Sequence, residues 1–171
     1  MTLIWVPALD RPDLLAEPVA LAVRQMEEEV RVAEIDPDLA DTAAFCDEYG
    51  VAMDASANCV VVAAKRGGEV RYAACMVLAT TRADVNGVVR KRLDARKTSF
   101  APMDDAVSLT GMEYGGITPL GLPDDWPILV DSRVAAHPSV IVGSGVRRSK
   151  LALSGAVLAG LKTAEVLDLA N

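Results

Sequence analysis

The residues best suited to chemistry lie in two short glycine-bearing stretches. The first is Gly111-Met112-Glu113-Tyr114-Gly115-Gly116-Ile117-Thr118-Pro119-Leu120-Gly121. Glycines let a backbone approach a ligand closely and expose its N–H groups. Such donors can hold the oxygen that gains charge during ester hydrolysis. A tight turn with no ligand is the competing reading of the same spacing. The second stretch is Gly143-Ser144-Gly145-Val146-Arg147-Arg148-Ser149-Lys150. It could bind phosphate through charge and backbone N–H groups together, or it could be an ordinary solvated turn. As a dinucleotide fingerprint it is incomplete, because arginines follow where glycine is needed. No GxSxG elbow, HExxH or GxxxxGK[ST] motif occurs. The single histidine, His137, leaves no second His ligand for zinc and reads as structural beside Pro138. Cys46, Cys59 and Cys75, with no CxxC spacing, read as buried free thiols of a reducing compartment.

These stretches need elements to position them. Pro18 can open a helix that runs through VALAVRQMEEEV until the β-branched VRVAEI suggests a strand. Asp41 can cap a second helix, DTAAFCDEY, with Gly50 at its end. NCVVVAAK and VRYAACMVLAT read as a buried hairpin around Arg66-Gly67-Gly68-Glu69. Residues Asp84 to Leu93 read as a capped helix with Val85, Val88, Val89 and Leu93 on one face. A short strand near Thr98–Ala101 precedes a helix at Asp104–Leu109 that Gly111 stops. GGITPLGLP is too rich in glycine and proline for regular structure, PILVD and SVIVGSG are strands, and a last helix starts near Ser154. Hairpins outnumber βαβ signals. The expected fold is α+β: a single domain whose mixed, largely antiparallel sheet is flanked by helices.

The 171 residues suit one domain, and 51% hydrophobic residues suffice for a core; with only seven aromatics it must be mostly aliphatic. No apolar run reaches the roughly 18 residues of a membrane span. The start, MTLIWVPALDRPD, lacks the basic and apolar regions of an export signal. A cytoplasmic protein is therefore expected. The net charge of −7 argues against a broad nucleic-acid binder. The charge is uneven, however. Residues 1–57 carry three basic and thirteen acidic side chains, against fourteen and eleven in residues 58–171. Eight of the seventeen basic residues fall in two clusters, Arg90-Lys91-Arg92 with Arg96-Lys97, and Arg147-Arg148 with Lys150. They form either solvated faces or a local anion-binding surface.

The order Ala57-Asn58-Cys59-Val60-Val61, Gly111 to Gly121, Leu129-Val130-Asp131 and Val142 to Arg148 resembles the YbaK/ProX family. These are aminoacyl-tRNA deacylases related to the editing insertion of bacterial prolyl-tRNA synthetase. The likeness spans roughly residues 40–161, and its most specific part is the GxxxGGxxPxG segment. It implies residues 1–39 as an N-terminal helix and strand extension packed on an editing domain at 40–171. It implies a compact fold without metal or other cofactor, acting in trans on mischarged aminoacyl-tRNA such as Cys-tRNA(Pro) or Ala-tRNA(Pro). The acceptor end of the tRNA is the expected partner, with prolyl-tRNA synthetase as a further one. No DNA or membrane partner is expected, and the chain would be a monomer or homodimer.

An aminoacyl ester is already activated, so a positioned water and oxyanion donors suffice, without a side-chain nucleophile. On this reading Gly115 and Gly116 hold the carbonyl oxygen, Thr118 orients water or a ribose hydroxyl, and Asn58 positions the 3′ end. Pro119, Gly121, Asp131, Gly143, Ser144, Gly145, Arg147, Arg148 and Lys97 are the substrate-binding candidates. Of these, Asp131 stabilises its loop rather than acting as a base. The sequence departs from the family at one position: many members carry lysine where Asn58 stands, and Lys97 or Arg148 are the candidates to replace that charge. Two other readings stay open: a tRNA-end or nucleotide-binding protein that has lost hydrolysis, and a small-molecule esterase.

Overall fold

The structure, a computed structural model, describes residues 1–171. Pro18 starts α1 (Glu17–Arg24), which buries Val19, Ala20 and Val23 along one face. The expected continuation through the glutamates does not form, and the chain turns at Gln25 into β2 (Arg31–Glu34), which pairs with the two-residue β1 (Val6–Pro7). The second helix, α2, runs from Thr42 to Tyr49, and Gly50 ends it in a left-handed conformation. Asp41 sits at the N-cap position but its side chain makes no capping bond.

The hairpin forms as expected: β3 (Ala57–Arg66) pairs antiparallel with β4 (Glu69–Leu78) along their whole length. Gly67 and Gly68 make the turn with φ of 58° and 83°, which glycine adopts without a Cβ penalty. The expected helix after Asp84 opens instead as a widened π turn at Val85–Val89, leading into α3 (Arg90–Arg92). The cause is local. The Asp84 carboxylate accepts from the N–H groups of Gly87 and Val88, while its carbonyl takes Val89 N–H five residues on.

The chain continues through β5 (Lys97–Phe100), α4 (Met103–Thr110), β6 (Ile128–Asp131), the single turn α5 (Ser132–Ala135) and β7 (Val140–Gly143). Then follow β8 (Ser149–Leu153), α6 (Gly155–Ala159), capped by the Ser154 hydroxyl, and β9 (Ala164–Leu167). The strands form two sheets rather than one. The first has the order β1-β2-β8-β7 and is antiparallel. The second, β5-β3-β4-β6-β9, is antiparallel at β5-β3-β4 and parallel at β4-β6-β9. The β8 and β9 strands, unanticipated in the sequence, each complete one sheet.

The main core lies between α1, the first sheet and one face of the second, gathering Val19, Val32, Met76, Leu120, Val142 and Leu151. Residues 1–39 contribute Ala8, Leu14, Val19 and Val32 to that same core. On the opposite face of the hairpin, Val62, Cys75, Val89 and Leu129 form a smaller cluster. Both are aliphatic. The two sheets meet where Ser56, at the start of the hairpin, bridges Ile141 of β7, and the glycine-bearing stretches converge near that junction.

Candidate active site

The start of β3 forms one wall of a cavity of about 410 Å³. Asn58 stands there, and its side-chain oxygen accepts a 2.7 Å hydrogen bond from the Thr42 hydroxyl in the first turn of α2. Ala57, Cys59, Val61, Ala101 and Ala106 make an apolar lining of small side chains. Tyr114, Gly115 and Ile117 line it from the glycine loop, and Gly143 and Lys150 from neighbouring strands. Phe100 and Tyr114 are largely exposed on its wall. Burial pushes the Cys59 thiol well above its ordinary range, and neighbouring Cys75 adds to the effect. Cys59 is thus a protonated, weakly nucleophilic wall residue.

The glycine loop is held from behind. Gly116 N–H donates to Glu113 O at 3.0 Å, and Gly116 O accepts from Gly145 N–H at 2.7 Å. Both polar groups of Gly116 are therefore engaged inside the protein, which corrects the expectation that its N–H meets substrate. Gly115 N–H and Ile117 N–H donate to no protein acceptor, and both residues line the cavity. A Cβ on Gly116 would lie 2.7 Å from Val146 O, and one on Gly143 2.5 Å from Gly116 O. The two glycine-bearing stretches approach each other as bare backbone.

Several other candidates serve elsewhere. Thr118 is fully buried and off the cavity wall, with its hydroxyl unpartnered. Pro119 and Gly121 border a separate groove against α1, where a Cβ on Gly121 would collide with Pro18 O. Buried Ser144 bonds the Ser149 hydroxyl at 2.6 Å, and Gly145 packs on Ala16 and Val19. Asp131 is fully buried and accepts from the N–H groups of Leu169 and Ala170 and from Arg133, tying down the segment that follows β9.

The basic clusters separate likewise. Lys97 pairs with Lys65, seven residues along β3 from Asn58, or about 23 Å away at the strand rise. Arg148 turns away and donates to Asp13 O at 2.5 Å. Neither replaces a charge at position 58. Arg147 works as a clasp: its backbone N–H meets the Glu113 carboxylate at 2.7 Å, and its guanidinium reaches Pro37 O and Tyr114 O at 3.2 Å and Asp41 at 3.7 Å. His137 accepts from Ser139 N–H, a local structural bond.

Lys150, which the sequence offered only as part of a basic cluster, lines the cavity. The residue is 7% exposed, its ammonium donates to Ala40 O at 2.8 Å, and that ammonium lies 5.3 Å from the Phe45 ring centroid. Burial lowers its pKa to about 8. The local signal was only the apolar Leu151-Ala152-Leu153 that follows it, which suggests a strand but leaves the lysine's burial undecided.

An α+β frame thus brings two interlocked backbone loops together over a cavity of mixed lining, with the Asn58 amide and the Lys150 ammonium on its wall. Residues 36–161 match the aminoacyl-tRNA editing domain, and the chain belongs to that family. Among solved structures, a candidate trans-editing enzyme for prolyl-tRNA synthetase is 19% identical, with a TM-score of 0.73 over 97% of this chain and 98% of that one. The hypothetical protein APE2540 is 21% identical, with a TM-score of 0.79 over 91% of this chain and 100% of that one. A scaffold used in computational epitope grafting is 20% identical, with a TM-score of 0.77 over 91% and 97%. At these identities the likeness establishes the fold. No helix is long and apolar enough to cross a membrane.

Proposed function

We propose that the chain hydrolyses, in trans, the ester of mischarged aminoacyl-tRNA, with small aminoacyl groups of the Cys-tRNA(Pro) or Ala-tRNA(Pro) kind as substrates. The observation that carries this reading is the cavity beside Asn58. It is walled by small apolar side chains, and two backbone N–H groups without protein acceptors, those of Gly115 and Ile117, border it. An alanyl or cysteinyl side chain fits such a lining, while the N–H groups serve the carbonyl oxygen as charge develops there. Asn58, its oxygen taken by Thr42, keeps an amide N–H₂ free to hold the ribose or the amino acid. Phe100 and Tyr114 offer aromatic faces on which unpaired bases of the acceptor end can stack. Arg147 offers the nearest guanidinium to the terminal phosphates. The working unit is residues 40–171, supported by residues 1–39 through β2. Prolyl-tRNA synthetase is the natural source of such substrates.

The test is a panel of labelled aminoacyl-tRNAs together with a simple carboxylic ester. Selective release from Ala- or Cys-tRNA(Pro) supports the reading. Release from the simple ester alone assigns a small-molecule esterase, and binding of tRNA without release assigns a binding protein.

A further inference from the structure

Lys150 is a buried cation without a counter-ion. Its backbone lies between Ala33 of β2 and Gly143 of β7, and its side chain lines the cavity beside Asn58. No carboxylate lies within ion-pair distance of its ammonium. The one carboxylate on the cavity wall, Asp41, is exposed and pairs with Arg147. An ammonium has three N–H donors. One goes to Ala40 O, the Phe45 ring faces the charge, and the remaining two have no protein acceptor. Burying an ammonium with most of its donors unused is costly unless something else accepts from it. Gly143, its register partner, adds no side chain to obstruct the approach.

We propose that Lys150 donates to the acyl carbonyl oxygen of the bound aminoacyl ester and holds it as it becomes an oxyanion. This rests on the hydrolytic reading above. Lys150 lines the cavity and Arg147 does not, which favours the ester over a phosphate as its acceptor. In the step itself, the water oxygen bonds to the acyl carbon and the carbonyl electron pair moves onto the oxygen held by Lys150. That pair then returns as the bond to the ribose oxygen breaks, and the ribose oxygen takes the proton that water gave up. The products are free amino acid and tRNA.

The groups facing Lys150 are Asp41 and Cys46 of α2, which favour its charge, and Arg147, which opposes it; burial outweighs all three. The donor is therefore lost as pH rises through about 8. The experiment takes the full chain as wild type, Lys150→Met and Lys150→Arg, with melting curves to establish folding. kcat and KM are measured from pH 6.5 to 9.5 on the best aminoacyl-tRNA of the panel and on the matching aminoacyl-adenosine. Folded Lys150→Met is expected to lose about 10²- to 10³-fold in kcat on both substrates, with KM nearly unchanged. The wild-type rate is expected to fall above pH 8, and Lys150→Arg to remove that fall, because a guanidinium stays charged. Folded Lys150→Met with kcat within twofold of wild type overturns the assignment, as does a rise in KM confined to tRNA, which marks a phosphate contact. If Lys150→Met does not fold, an alkaline fall that persists in Lys150→Arg overturns it instead. A wild type that hydrolyses no aminoacyl-tRNA overturns the hydrolytic reading, and this one with it.

Discussion

Gly116 and Gly50 separate two reasons for conserving space at a glycine, crowding and backbone conformation, and Gly116→Ala isolates the first. Gly116 does not need a positive φ, yet a Cβ there would meet Val146 O, C and N at 2.7, 2.8 and 2.9 Å. All three atoms are backbone, and the loop that bears them is fixed by the Gly145-to-Gly116 and Arg147-to-Glu113 bonds. Restoring ordinary contact distance requires a shift of about 0.6–0.8 Å. Overpacking of that kind costs about 1–3 kcal/mol, and weakening the two backbone bonds of Gly116 adds about 1 kcal/mol. The expected loss is therefore about 2–4 kcal/mol, or about 5–15 °C in Tm for a chain of this length. Gly50→Ala is the control: φ is +67° and nothing lies within 4 Å of a Cβ. It should cost only about 1–2 kcal/mol of left-handed strain. Urea unfolding of both variants measures the difference. A Gly116→Ala protein within 0.5 kcal/mol of wild type would refute the interlocked-loop argument.

Asn58→Ala should lower kcat/KM for aminoacyl-tRNA by about 10- to 100-fold through lost positioning while moving Tm little; a parallel drop in both would make Asn58 a structural residue. Arg147→Ala should reduce the log–log salt slope of tRNA binding by about 0.7–0.9, whereas Arg148→Ala, directed at Asp13, should leave it unchanged. Equal slopes for the two variants would remove Arg147 from the tRNA path. Burial pushes the Cys75 thiol up to about 12 from 9.0, so the folded chain keeps a proton that the unfolded chain releases. The resulting stability is complete below pH 9 and is lost toward pH 12, by up to about 1.4 kcal/mol per pH unit. Cys75→Ala should fall less steeply than wild type in alkaline unfolding, and superimposable slopes would contradict the linkage.

The hairpin was legible in the sequence because β-branched runs flank Gly67-Gly68, and Gly50 and Gly111 marked two helix ends for equally local reasons. The π turn after Asp84 was not, since it depends on one carboxylate engaging two N–H groups at once. β8 was hidden because its first residues, Ser149 and Lys150, are polar. Their burial is decided by partners far along the chain, Leu14 and Ala40. The glycine-rich motif hid its chemistry for a local reason, the turn its backbone takes. Sequence identified the loop, but only the hydrogen bond to Glu113 shows that Gly116 N–H is occupied.

The boundary of the family match, residues 36–161, cuts through hydrogen-bonded ladders rather than through linkers. A fragment trimmed to it would lose β2, which covers β8 from Arg31 to Glu34, and β9, which covers β6. Two rows of peptide groups would then stand bare, one of them on the strand that carries Lys150. Bare strand borders recruit other chains. Such a fragment is expected to self-associate through β8 and to block its own cavity. The recognisable module is thus smaller than the set of strands that completes the two sheets, and the acidic N-terminal segment acts as its selvedge.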